Sequence, residues 1–302
     1  MKKKFIAFFV LLLVVLSGCS LPGLGSGKSS IRVSGGVTSE SQILANLVSG
    51  MIEHDLGTSV EIISNLGSAN IMHNALLRGD IDIAAPRYTG TDVTGILQLP
   101  AEKDPEKALA LVQKEFAKRY DQVYFPSYGF ANNFVFMVTK ETAEKYDLKT
   151  ISDLEAIAGD LTAAVDATWL KRETDGYPAF IKEYNFDFKR VYPMQIGLVY
   201  DALASGKMDV VLGYSTDGRI GSYDLQILED DHQFFPSYDA SLVATEEILK
   251  EYPELEATLS KLTGQISTET MQNLNYQVDN DLLEPSNVAE KFLKENHYFE
   301  EK

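Results

Sequence analysis

Two stretches of this 302-residue chain repeat one phrase, and that repeat constrains the fold more than any other feature. Ala75-Leu76-Leu77-Arg78-Gly79-Asp80-Ile81-Asp82-Ile83 runs on to Tyr88-Thr89-Gly90-Thr91. Ala202-Leu203-Ala204-Ser205-Gly206-Lys207-Met208-Asp209-Val210 runs on to Tyr214-Ser215-Thr216-Asp217. Each reads as helix, glycine stop, short buried strand, then a tyrosine and hydroxyls at the strand's carboxyl end. Ligands of open α/β sheets bind outside that end, so two such units put two tyrosines at the mouths of two sheets. A second repeat, Phe-Pro-Ser-Tyr, stands at Phe125–Tyr128 and again at Phe235–Tyr238. Proline-stiffened segments at these places suit a chain that leaves one lobe, builds another and returns. The expected lobe 1 is about 32–130 with 239–302 and lobe 2 is 131–238, with a ligand cleft bridged by two hinge strands.

The rest of the body agrees with an α/β class and a largely parallel sheet. Ile31-Arg32-Val33 reads as a strand, and Gly35-Gly36 as its turn. Thr38-Ser39-Glu40-Ser41 then caps a helix whose apolar face is Ile43, Leu44, Leu47, Met51 and Ile52. Strands follow at Val60–Ile63, Ile81–Ala85 and Phe134–Thr139, with helices at Ile71–Leu77 and Pro105–Tyr120. After Lys140 the rhythm restarts with a helix at Glu141–Tyr146, a strand near Leu161–Val165, and helices at Gly176–Tyr184 and Gln195–Ala204. The final sixty residues read as almost wholly helical.

The N-terminus reads as an address. Lys2, Lys3 and Lys4 precede an apolar run from Phe5 to Leu16, too short to span a ~30 Å bilayer core as a helix. Leu16-Ser17-Gly18-Cys19 then resembles the lipobox of bacterial lipoproteins, in which the cysteine is acylated and becomes the mature N-terminus. Residues 1–18 are thus an expected signal peptide, Cys19 an expected lipidation site, and 19–31 a flexible tether rich in Gly and Ser. Gly23–Ser29 superficially suggests a phosphate-binding loop, but Pro22 stands where its first glycine is required.

Composition removes several function classes. Lys and Arg number 27 against 44 Asp and Glu, a net charge of -17, and no basic stripe overturns it locally, so nucleic acid is not an expected partner. One cysteine leaves no disulfide or Cys-rich metal site. The four histidines, His54, His73, His232 and His297, lack metal-ligand spacing, so no metal or cofactor is expected. No Gly-x-Ser-x-Gly elbow or His-Glu-x-x-His helix is present, and no catalytic residue is assigned. Acidic runs such as Glu229-Asp230-Asp231 read as solvated loops.

The positive signal is aromatic. Fifteen tyrosines, several at expected strand ends, exceed what a core needs, because each buried phenol requires a hydrogen-bond partner. A quaternary ammonium has no N–H to donate and is held by ring faces, each worth ~0.5–1 kcal/mol when exposed and about 2 when desolvated. Four rings with a carboxylate contact reach roughly -8 kcal/mol, the scale of micromolar binding.

Several stretches together resemble one family. They are Gly79-Asp80-Ile81-Asp82-Ile83 with Arg87-Tyr88-Thr89-Gly90-Thr91-Asp92, Thr168-Trp169-Leu170 with Arg172, Tyr192-Pro193-Met194, Tyr214-Ser215-Thr216-Asp217 and Phe234-Phe235-Pro236-Ser237-Tyr238-Asp239-Ala240. They are similar to the substrate-binding lipoproteins of osmoprotectant ABC transporters for glycine betaine, carnitine and choline. The resemblance implies a two-lobed, periplasmic-binding-protein-like fold of type II. It also implies a non-enzymatic, extracytoplasmic protein anchored to the membrane by lipid, delivering its ligand to a permease driven by a cytoplasmic ATPase.

By the same resemblance, three members of a four-tyrosine cage fall on Tyr88, Tyr214 and Tyr238. The fourth falls on Phe134 of Asn132-Asn133-Phe134, which keeps the π face and loses the hydroxyl; Asn132 lies beside the cage. Arg172 and Thr91 take the positions that meet a ligand carboxylate. Choline-restricted members tend to carry an acid where Thr91 stands, so Thr91 favours zwitterions. Gly36 replaces a frequently polar residue. A monomer is expected. A binding protein for another small solute such as an amino acid, or a surface hydrolase, are the alternatives.

Overall fold

The computed structural model describes residues 30–167, 169–172 and 176–299. The expected signal peptide, Cys19 and most of the tether lie outside the described residues, as does Thr168.

The first sheet begins with β1 (Ile31–Ser34), followed by helix α1 (Ser39–Leu56) and β2 (Val60–Ile63). Thr38 caps α1 by accepting the Ser41 N–H, and the apolar face read from the sequence is buried along its length. Helix α2 (Ala69–Arg78), capped by Ser68, leads to β3 (Ile83–Tyr88). Helix α3 (Pro105–Tyr120) and β4 (Gln122–Tyr124) complete this stretch.

The second sheet is built from β5 (Phe134–Thr139), helix α4 (Lys140–Tyr146), β6 (Thr162–Asp166), helix α5 (Tyr177–Tyr184), β7 (Arg190–Met194), helix α6 (Ile196–Ala204), β8 (Val210–Tyr214) and β9 (Leu225–Ile227). The chain then returns to the first sheet as β10 (Ala240–Thr245) before the helical tail of α7 (Glu246–Glu251), α8 (Leu255–Ser260), α9 (Thr268–Asp279) and α10 (Pro285–Glu295).

The two sheets share one plan. Their strand orders are β2-β1-β3-β10-β4 and β7-β6-β8-β5-β9. In each, a β-α-β-α-β run supplies three parallel strands whose third member is central, and an antiparallel strand lies beside it. The repeated phrase is therefore a structural repeat: β3 and β8 hold equivalent places, and both are entered through a glycine in the left-handed region, Gly79 (φ 68°) and Gly206 (φ 69°).

The sheets are mixed rather than largely parallel. Each has two parallel and two antiparallel pairings, because β10 and β5 reach their sheets through the connecting segments and enter against the run of β3 and β8. Strand β10 also departs from the helical reading of the tail. It is buried on both faces, so its sequence carries no alternation to mark it.

The two crossings between the sheets, each carrying one Phe-Pro-Ser-Tyr segment, pair with each other. Phe125 N–H donates to Leu242 O, Tyr128 N–H to Ala240 O, Ala240 N–H to Phe130 O and Asn132 N–H to Tyr238 O. Phe125 and Tyr128 are buried in the core around α1, and Phe234 and Phe235 in the core under the second sheet.

Candidate functional site

A cavity of about 650 Å³ opens where the carboxyl ends of β3 and β8 meet the crossing segments. Tyr88, Thr91, Asn132, Phe134, Arg172, Tyr214 and Tyr238 all line it, so the structure brings every ligand-site residue named from the sequence to one place.

Strand register does much of this. Tyr88 is the last residue of β3 and pairs with Ala240 on β10, two positions after Tyr238. Phe134 and Tyr214 stand directly opposite each other on β5 and β8, with ring centroids 5.2 Å apart. The Phe134 ring also meets Tyr238 edge-on at 6.2 Å. Behind it are Phe235 at 5.9 Å and Trp169 at 6.4 Å, an apolar aromatic surround.

Tyr88 is followed by a single helical turn, Thr89–Thr91, which carries Thr91 to the cavity. This turn is zipped to the returning crossing: Thr89 N–H donates to Asp239 O at 3.1 Å, and Asp239 N–H donates to Thr89 Oγ1 at 3.2 Å. At Gly90 an added Cβ would lie 2.7 Å from Ser237 O and 3.1 Å from the Tyr238 ring, so only glycine admits this approach. Below the turn, Arg87 and Asp92 form an ion pair, exposed 1% and 0%, that spans its two ends. Arg87 also donates to Ala69 O at 2.9 Å, and the Tyr124 hydroxyl donates to Asp92 at 3.1 Å.

Three residues that shape the cavity were not singled out for it in the sequence. Glu40, in the first turn of α1, is 3% exposed and lines the cavity. The Tyr88 hydroxyl and Asn132 Nδ2 (3.0 Å) both donate to its Oε1, and Asn275 Nδ2 of α9 donates to its Oε2 at 3.3 Å. Asn275 donates as well to Thr216 O, 2.9 Å away, beyond the end of β8. Glu40 was legible only as part of a helix cap, and Asn275 only as one polar residue of a helical tail. The third is Tyr200, whose buried hydroxyl accepts the Tyr214 N–H at 2.7 Å and holds the start of the Tyr214 loop.

The Tyr88 and Tyr214 phenols stay protonated. Burial, reinforced by the neighbouring Glu40 charge, raises the Tyr88 pKa well above its ordinary value. Burial also raises that of Tyr214, with Asp166 adding to the rise and Arg172 opposing it. The cavity thus has neutral aromatic walls, a buried carboxylate on one side, and the half-buried Arg172 among its lining groups.

Residues 29–295 match the family described as the substrate binding domain of ABC-type glycine betaine transport system. The chain belongs to this family. It is 57% identical, over the whole of both chains, to the carnitine transport binding protein OpuCC of Listeria monocytogenes serotype 1/2a (strain 10403S). It is 32% identical to the ergothioneine transport permease/ergothioneine binding protein EgtU of Helicobacter pylori (strain G27), over 96% of this chain and 52% of that protein. The crystal structure of a glycine betaine/carnitine/choline ABC transporter protein superposes with a TM-score of 0.86 at 54% identity, covering 90% of this chain and 100% of that one.

As a member of this substrate-binding family the protein is a non-enzymatic, extracytoplasmic component of an ABC transporter. No described helix is long and apolar enough to cross a membrane. One surface constellation superficially resembles a nucleophile triad: Ser152 Oγ lies 3.3 Å from His232 Nε2, and His232 Nδ1 lies 3.5 Å from Glu183. The Ser152 N–H, which would have to meet an oxyanion, is held by the Asp231 carboxylate at 3.3 Å, so the arrangement opposes that charge. Its neighbour Asp230 is also no solvated loop acid. It accepts the Phe234 and Phe235 N–H groups, each at 2.8 Å, and anchors the start of the returning crossing.

Proposed function

We propose that this cavity captures a trimethylammonium solute, with zwitterions such as carnitine and glycine betaine ahead of choline, and hands it to a permease. The observation that carries this reading is the convergence of Tyr88, Phe134, Tyr214 and Tyr238 on one cavity that also holds a carboxylate and an arginine. Ring faces and a negative charge suit a quaternary ammonium, and Arg172 with Thr91 suits a carboxylate at its other end. The relatives' named ligands, carnitine and ergothioneine, both combine these two groups, which supports the zwitterion.

The body is read as two lobes, 32–130 with 239–302 and 131–238, that close about the paired crossings at 124–133 and 234–242. Tyr88 belongs to one lobe and Phe134 and Tyr214 to the other, so a ligand touching all of them favours the closed state by population shift. The N-terminal pattern supports a chain tethered through acylated Cys19 after loss of residues 1–18; the protein is read as a monomer. Cys19→Ala should release the protein from the membrane fraction.

Calorimetric titration with carnitine, glycine betaine and choline tests the ligand. Binding in the micromolar range to at least one is expected, and silence toward all three at millimolar concentration overturns the assignment.

A further inference from the structure

We infer that Glu40 is a specificity-determining residue of the site, supplying the charge that sets the preference between a cationic and a zwitterionic trimethylammonium ligand; this rests on the ligand reading above. Glu40 is nearly enclosed, yet no Lys, Arg or His among the described residues is ion-paired with it. Two arginines that share the cavity are engaged with acids of their own, Arg87 with Asp92 and Arg219 with Asp217. The carboxylate is instead held by three neutral donors, Tyr88 Oη, Asn132 Nδ2 and Asn275 Nδ2. Neutral donors stabilise a buried anion without cancelling its charge, so Glu40 presents a negative charge to the aromatic side of the cavity, while Arg172 supplies the positive one among its lining groups.

The way those donors are shared decides which cation fits. Glu40 Oε1 receives both Tyr88 and Asn132, which occupies both of its lone pairs. A primary ammonium would have to displace one of these donors to hydrogen-bond at Oε1, which leaves it only the second acceptor position of Oε2, the oxygen that receives Asn275 alone. A trimethylammonium group carries no N–H, competes for nothing, and gains the Coulomb attraction through its methyl shell. The donors also orient the site: the bond from Tyr88 fixes the ring of a cage residue, and Asn275 ties the same carboxylate to Thr216 O beyond β8. Glu40 thereby distinguishes ligands by net charge. It attracts all of choline's charge, whereas in a betaine it attracts one end and repels the other.

The test is titration of the protein and its Glu40→Gln variant with choline and with glycine betaine, alongside thermal unfolding of each. Glutamine keeps the shape and removes the charge. Choline affinity should fall about 30- to 100-fold and glycine betaine affinity about tenfold or less, so that the ratio of the two shifts at least threefold toward the zwitterion. An unchanged ratio, with both affinities falling together, assigns Glu40 a purely structural role and overturns the proposal while leaving the cage reading intact. A wild-type protein that binds neither ligand overturns the cage reading and this proposal with it. If Glu40→Gln does not fold, Glu40→Asp retains the charge and should hold the choline to glycine betaine ratio within about threefold of wild type; a larger drop in that ratio overturns the charge argument.

Discussion

Arg87 and Asp92 form a buried ion pair across the turn that holds Tyr88 at one end and Thr91 at the other. The aromatic contact and the polar contact expected at opposite ends of the ligand therefore share one rigid support. Burial raises the Asp92 pKa, and the adjoining Arg87 guanidinium opposes that rise. Removing either partner leaves the other as a buried charge without its counterion.

Asp92→Asn and Arg87→Met should each destabilise the fold by about 3–5 kcal/mol, read from denaturant midpoints. A paired Arg87→Met/Asp92→Leu replacement should be less destabilising than the sum of the single changes, because neither charge is then stranded. A sum equal to the double variant would mean the two groups act separately.

Phe134 packs against Trp169 and Phe235, with ring centroids 6.4 and 5.9 Å away, and fills its place in the aromatic cluster without a hydroxyl. Phe134→Ala should weaken ligand binding by at least about tenfold through loss of one ring face. It should also cost about 3–5 kcal/mol of stability. Phe134→Tyr should hold affinity within about threefold. Calorimetry and thermal melts on the same samples separate the two effects.

Tyr200 is the only side chain among the described residues seen to satisfy the Tyr214 N–H. Tyr200→Phe leaves that buried donor unpaired and should cost about 1–3 kcal/mol. Because Tyr214 is then less firmly placed, ligand affinity should fall severalfold, although Tyr200 itself does not line the cavity.

His73 packs edge-on against Phe116 and Tyr120 and is buried. Burial, with the Arg87 charge beside it, lowers its pKa from 6.5 to about 4. The folded protein therefore keeps His73 neutral while the unfolded chain takes up a proton near pH 6.5, so acidification favours unfolding. The contribution is fully present above pH 6.5 and is lost progressively as pH falls toward 4. Between pH 7.5 and 5 the wild type should lose roughly 2 kcal/mol more stability than His73→Leu. Parallel stability curves for the two proteins would count against this.

Gly90 packs so tightly against the Ser237–Tyr238 segment that an added Cβ would have no room. Gly90→Ala should push the Tyr238 ring away and lower ligand affinity by about tenfold, with a stability loss of roughly 1–3 kcal/mol. Equal affinity for the two proteins would show that the ring can yield without cost to the site.

Much of the architecture was legible because its signals are local. The Gly79 and Gly206 stops require only the left-handed backbone that glycine tolerates, and the capped face of α1 needs only helical periodicity. The tyrosines at the ends of β3 and β8 follow from those same units. Strand β10 was not legible, since a strand enclosed on both faces has no polar side to set its period.

The sequence by itself determined the repeated helix-glycine-strand unit with a tyrosine at each strand end, and the two proline-stiffened crossings. Propensity, turn chemistry and hydrophobic period act over a few residues and are written in the order of the chain. Only the tertiary structure decided that Glu40, Asn132 and Asn275, separated by |i−j| of 92 and 235 from the first of them, share one carboxylate. It also decided that the crossings pair with each other and that Arg87 turns inward to Asp92. Those contacts depend on strand register and on the return of the chain through β10, and such long-range geometry leaves no local pattern to read.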